Sequence, residues 1–584
     1  MNMRELVGKI ENLRQVEFFE RSFFNSGFFH ASETQREKLL SQGNRVDNWN
    51  TLYLASGTLV ENIQNSWFRG LVRLDLGKNG QIWQSVLEDV EIAQGCRILQ
   101  CPLVRRTVLD VGVILEGSYL DCRRPTSYGV GIMIGAGIES VGRVLFLDPL
   151  RDFSKLDPIY NVGSKPPVAV SGDFNYLGAD SRVRGACNIN GLMAGPGANL
   201  ENTLEVHEVS LYSTKKEPVY LGPGTLVRQS ILHEGVRIDS GAQVVQSQIL
   251  AHGCAERGVW VTQSLLGPDS HVAEGEITAS ILGPFVGFHH QSLLIAAWWP
   301  QGRGNVASGA QVGSNHTSRL PDQEIKPGEG MFFGLATVIK FPADFTEAPY
   351  TVVASGVTTL PQKLGTPFSL IVEGEQKGGL GRLIPGWVLS QNVYGLIRNE
   401  FKFAARAKSR SPGQDFRVFR PEIVDKLWKT LGILEELPVK AVYTSADCAL
   451  FGANVVLHKD WEKACLVYRE FYEYGVLRIW AQRKFKHRES GLFSEVGEAE
   501  DPWVEESLAA LETKGLEKAD STAIARRWWE AEKRVLNSAI GSLERDWERG
   551  SQIISDYANS HSAPGNDPFI VQYQKHLELW SLWI

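Results

Sequence analysis

The chain has 584 residues, of which 43% are hydrophobic and 22% charged, and a formal net charge of −7. That length implies more than one core, and the negative balance argues against a general nucleic-acid binder, which carries a broad positive field. The opening MNMRELVGKIENLRQVEFF has scattered charges and no apolar h-region, and no run of about 18 apolar residues occurs, so neither a secretory signal nor a membrane span is expected.

In chain order, residues 1–51 read as an N-terminal cap, partly helical, with ETQREKLL (Glu33–Leu40) as a helix and Gly43 as its stop. From residue 52 to 385 the pattern changes. Aliphatic residues recur every six positions, as in Leu226, Leu232, Ile238, Val244 and Leu250, or Val86, Ile92, Ile98 and Val104, or Trp260, Leu266 and Val272. Six fits neither a 3.6-residue helix nor a simple alternating strand. It fits a coil of short strands and tight corners, in which each face points one aliphatic residue inward to stack on the next coil. Three stretches break the period: 146–174, 207–218 and 296–305 (AAWWPQGRGN). In solenoids such insertions become loops, often on the binding face. Residues 386–584 read as an α-helical domain, with helices expected over Ser390–Lys408, Arg420–Leu431, a run capped by Asp460, and Thr522–Ala558; Gly491–Asp501 reads as a loop. The seven cysteines (Cys96, Cys101, Cys122, Cys187, Cys254, Cys448, Cys465) form no CxxC pair, and their odd number points to a reducing, cytoplasmic setting.

ILHEGVRIDSGAQVVQSQILAHG and GNVASGAQVGSNHTS resemble the hexapeptide-repeat superfamily. The resemblance implies a left-handed parallel β-helix with three hexapeptides per coil, so the expected fold is mainly β with an α-helical C-terminal domain. LGPFVGFHHQSLLIAAWWPQGRGNVASGAQVGSNHTSR also resembles large bacterial hexapeptide-repeat proteins of an uncharacterised family. The superfamily includes acyltransferases, metal-dependent carbonic anhydrases, sugar-nucleotide enzymes and non-catalytic scaffolds. In its acyltransferases a histidine acts as general base between subunits of a trimer, so a homo-trimer is implied by resemblance alone.

Histidine suits a base at working pH because its ordinary pKa is about 6.5. His233, His252, His271 and His290 are spaced 19 apart, but their phases within the repeat differ, so no straight ladder is expected. The richer group is His289, His290 and His316, beside the 296–305 break. His316 and then His290 are the candidate bases. Asn315 and Ser314 would position a substrate, Arg303 or Arg319 would hold phosphate, and His289 would complete the pocket. Three imidazoles with an open position also admit a zinc site. Adjacent strand residues face opposite ways, however, and His289–His290 departs from the spacing of the superfamily's carbonic anhydrases. The basic segment Arg398–Lys429 is either a phosphate site, for coenzyme A or a sugar nucleotide, or a solvated helix face. No GxGTRL-type or GxxxxGK[ST] motif is present. The leading expectation is acyl transfer from a coenzyme A thioester to a sugar or sugar-nucleotide. A non-catalytic scaffold or ligand-binding β-helix, and a metal-dependent hydratase-like site, stand as alternatives.

Overall fold

The computed structural model describes residues 27–122, 124–135, 137–138, 144–150, 172–314, 324–409, 415–484, 501–513 and 521–581, with a few isolated positions before 27. It is mainly β, a parallel β-solenoid with helices toward the C-terminus. Two compact units divide the chain, Met1–Ile325 and Lys326–Ile584. The division falls inside the span expected for the β-helix, and both units contain coils. No helix among the described residues is long and apolar enough to cross a membrane.

In the first unit the coils stack through parallel pairing, and three inward columns form the core. Val227, Val244, Val261, Ile277, Leu294 and Val312 make one. Leu232, Ile249, Leu266, Leu282 and Trp299 make the second. Ile238, Ala255, Val272, Phe288 and Val306 make the third, and their successive spacings are 17, 17, 16 and 18. All are fully buried. The coil is therefore close to 17 residues, not three sixes, because the face between the first and second columns takes five (Val227 to Leu232). A strict period of six drifts by one residue per coil. Leu232, Ile238 and Val244 point inward as expected, but Val227 and Ile249 occupy the column positions beside Leu226 and Leu250. Likewise Val261 turns inward and leaves Trp260 53% exposed.

Each corner turns on a residue with positive φ. Gln229, Gln246, Gln263, Ala279 and Ala296 make the first corner; His252, Asp269, Phe285 and Arg303 the second; Ser240, Arg257, Glu274 and His290 the third. Such residues are strained, and hydrogen bonds between coils offset the strain. At the first corner Gln246 donates to Gln229 at 3.1 Å and Gln263 to Gln246 at 3.3 Å. Just past it runs a buried serine ladder. Ser230 Oγ accepts from Ser247 N, Ser247 Oγ from Ser264 N, Ser264 Oγ from Ser280 N, and Ser280 Oγ from Ala297 N, each at 3.1 Å. The polar repeat positions thus satisfy backbone N–H groups that a turn would otherwise orphan.

Two of the expected insertions are smaller than their ranges. His207 lies in the regular strand Glu205–Leu211, in register with the next coil, so only the residues after Leu211 form the excursion. Trp298–Trp299 is also a strand, paired with Ile281–Leu282. The 296–305 stretch departs from a period of six but not from the coil. The largest insertion lies between Leu115 and Val183, partners 68 residues apart in neighbouring coils. Part of it, 151–171, lies outside the described residues. Its described part folds back on the solenoid. The hairpin Met133–Gly135 with Val144–Phe146 belongs to a second core, in which Tyr128, Val130, Ile134, Leu145 and Leu147 cover the outward residues Met193, Ile231, Leu265, Ile281 and Trp298. Contact is so close at Gly129 that a Cβ there would lie 2.6 Å from the Ser230 carbonyl oxygen.

Gln248 sits in the same covered column and anchors the insertion. Its Oε1 accepts from Asp148 N at 3.2 Å, and its Nε2 donates to Asp148 O at 2.9 Å. That amide nitrogen is also 3.0 Å from His233 Nε2. An amide N–H can only donate, so the ring nitrogen accepts and the imidazole is neutral. Burial holds it so, with its pKa pushed down to about 4.

In the second unit, coils continue through Phe333, Val353 and Ile371. An antiparallel strand, Gly381–Ile384, closes on Leu370–Val372. Helices then cover Val393–Arg406, Pro421–Glu435, His458–Lys484, Ser521–Ile553 and Pro568–Ser581. Gly491 to residue 500 lies outside the described residues. Four of these helices meet at a buried charge cluster. Arg478 donates to Glu400 at 2.8 Å and to the Tyr474 hydroxyl at 3.1 Å, with its Nε 3.6 Å from Glu532. Trp528, Tyr474 and Tyr573 all donate to Glu532.

Two outcomes are expected. Because folded His233 resists the proton that the unfolded chain accepts below its ordinary 6.5, the stability present above pH 6.5 is lost as pH falls toward about 4, about 3 kcal/mol in full. Urea unfolding followed by circular dichroism across that window should show this component in the wild type and its absence in His233→Gln. In the second unit, Arg478→Ala strands two carboxylates in the helical core and should cost about 3–5 kcal/mol in the same measurement.

Candidate functional site

A group of titratable side chains on the solenoid's outer surface, among the described residues, is built by register. On a strand, residues two apart share a face, so Cys254 and Glu256 both point outward on either side of inward Ala255. The next coil places His271 on Cys254, then Gly287 on His271, then Asn305 on Gly287. His289 follows inward Phe288, and the third corner comes next, where Arg257, Glu274 and His290 occupy successive coils.

The contacts are specific. His271 Nε2 is 3.0 Å from Glu256 Oε1, and Cys254 Sγ is 3.9 Å from Glu256 Oε2. His290 Nδ1 is 2.7 Å from Glu274 Oε2. Arg257 lies between the two carboxylates, 3.4 Å from Glu256 and 3.4 Å from Glu274. The His271 and His289 rings meet edge-on at 5.7 Å, and those of His289 and His290 stand 6.0 Å apart. Burial, with His271, His290 and Arg257 nearby, holds His289 below the usual imidazole range. Burial and the Glu256 carboxylate push the Cys254 thiol up to about 12.

Gly287 leaves room in the outward column that Asn305 and His289 fill. A Cβ there would lie 2.8 Å from Asn305 Oδ1 and 3.2 Å from His289 Nε2. Asn305 Oδ1 is buried without a hydrogen-bond partner. Beyond the third corner, the following face presents exposed Trp260, with Glu276 as its partner in the next coil. Thr278 donates to Glu276 at 3.1 Å and shares a 2.8 Å hydrogen bond with Thr262. An exposed ring beside hydroxyl and carboxylate groups offers both an apolar platform and polar anchors.

Of the residues expected from sequence, His289 and His290 fall in this group. Arg303 does not: it turns the second corner, where its N–H bonds Pro284 O at 2.7 Å, while His290 turns the third. Ser314 ends the strand Gln311–Ser314. Asn315, His316 and Arg319 lie outside the described residues. Of the four histidines spaced 19 apart, His252 turns the second corner and His290 the third, whereas His271 lies on a strand and His233 is buried against Gln248, since a coil of 17 carries each to a new position. Within the basic segment Arg398–Lys429, Lys402 lies beside Arg398 and Arg406, while three other basic residues are paired. Arg417 pairs with Asp415, Arg420 forks onto Glu329 at 2.6 and 3.0 Å, and Lys426 pairs with Glu347. Sequence reasoning missed Cys254, Glu256, Glu274, Asn305 and Trp260. A search at period 17 instead of six would have aligned Cys254 with His271 and turned Trp260 outward.

The family described as Domain of unknown function (DUF4954) matches residues 164–438. All the outer-face residues named above lie within that stretch. An uncharacterized protein of Treponema pallidum (strain Nichols) is 24% identical over 466 residues, which cover 73% of this chain and 64% of that protein. The chain thus spans less than two thirds of that relative's length.

Proposed function

We propose that the third corner of the solenoid and its flanks form a small-molecule site for group transfer to a sugar-like acceptor, with His290 as general base. The observation that carries this reading is the His290–Glu274 pair at 2.7 Å. A carboxylate accepting from Nδ1–H fixes the tautomer and leaves the Nε2 lone pair free. His290 is 59% exposed at the side chain, so that lone pair is open to a ligand.

In the transfer, an acceptor hydroxyl or amine gives its proton to His290 Nε2 as its oxygen or nitrogen attacks a thioester carbonyl. The new bond to the acyl carbon forms, the carbon–sulfur bond breaks, and the imidazolium returns the proton to the departing thiolate. Glu274 stabilises the transient charge on the ring. Trp260 supplies a face on which the apolar side of a sugar ring can stack, with Glu276 and Thr278 for its hydroxyls.

The test is thiol release from acetyl-coenzyme A in the presence of a panel of amino sugars and sugar nucleotides. His290→Ala should lower kcat/KM by about 100- to 10,000-fold, the usual range for a lost general base. Glu274→Gln should lower kcat, and Trp260→Ala should act mainly through KM. Thermal protection by a sugar without thiol release would replace transfer with a non-catalytic binding face.

A further inference from the structure

We infer that Cys254, Glu256 and His271 form a binding site for one zinc-class divalent cation, held by Cys254 Sγ, a Glu256 oxygen and His271 Nε2, with a fourth position open toward solvent. This goes beyond the transfer reading and does not depend on it.

The three ligand atoms lie within 4.8 Å of one another. They are presented by paired strands in adjacent coils, Cys254–Glu256 and His271–Ala273, and not by loops. Strand placement limits how far they can drift, which is what a metal site needs of its frame. The donor set is one sulfur, one nitrogen and one oxygen. Magnesium and calcium take oxygen ligands, whereas zinc accepts this mixture in a tetrahedral arrangement and, with three protein ligands, keeps one place for an exchangeable group. All three side chains are partly buried, so the site is screened without being closed.

The surroundings fit. Arg257 contacts Glu256 Oε1, which leaves Oε2 turned toward Cys254 Sγ.

The experiment uses the full chain, stripped with a chelator and titrated with Co²⁺ and then Zn²⁺. One equivalent of cobalt should bind with a thiolate-to-cobalt charge-transfer band, and zinc should bleach it. Cys254→Ser should abolish the band, whereas Cys187→Ser, at the exposed cysteine, should leave it unchanged. His271→Ala should weaken binding by more than about 100-fold, since even outer-shell changes cost about 10–100-fold. Circular dichroism checks that each variant folds. In the unaltered chain, zinc should also protect Cys254 from alkylation, read by peptide mapping, which tests the site without any substitution. Absence of bound cobalt, a band that survives Cys254→Ser, or alkylation of Cys254 unaffected by zinc would each overturn the site. His290→Ala should leave cobalt binding intact, so failure of the transfer reading and failure of the cation site are told apart.

Discussion

The parallel register between coils is the constraint on which the first unit depends. A coil cannot bury its own inward residues, and its backbone groups find partners only in the coils on either side. Once Val244 lies on Val227 and Ala255 on Ile238, every other side chain in the coil is committed to a face. The outer cluster follows from this. Cys254 meets His271, and Glu274 meets His290, because the core beneath them is in step.

Polar groups help hold that step. The serine ladder joins each rung to the backbone of the next coil. The covered column does the same across a different interface, where Gln248 binds both the insertion at Asp148 and the neutral ring of His233. The second unit solves another problem with similar means. Its helices converge on Arg478, whose charge, with hydroxyl and indole donors, makes burial of Glu400 and Glu532 tolerable. In each place a buried polar group is satisfied from more than one element, so it specifies which elements meet.

The solenoid was legible because apolar stacking imprints a period, and Leu232, Ile238 and Val244 record it on three successive faces. What escaped was the length of one face. A five-residue face shifts the pattern by a single position per coil, too little to hide the fold and enough to turn Trp260 from core to surface. The same slip made AAWWPQGRGN look like a loop, although Trp299 continues an inward column. His289 and His290 stood out as candidates, but the residues they meet did not. Glu256, Glu274 and Cys254 are ordinary surface residues until the coil length places them. In the basic segment, two of the charges meet acids distant in sequence, Glu329 for Arg420 and Glu347 for Lys426, and that pairing is invisible along the chain.

The serine ladder and the columns give the solenoid near-translational symmetry. Adjacent strands in a sheet stand about 4.7–4.9 Å apart, so the outer surface is a ruled grid, marked in equal steps along one axis and in pairs of residues across it. A chemical group is addressed on such a grid by coil and by column, without reference to any loop. The unit of change for this architecture is then a block of about one coil. Removing or duplicating one would move the cluster at Cys254 and His271 bodily along the axis while leaving its internal geometry alone, whereas deleting a single residue would turn every later side chain of that coil to a different address.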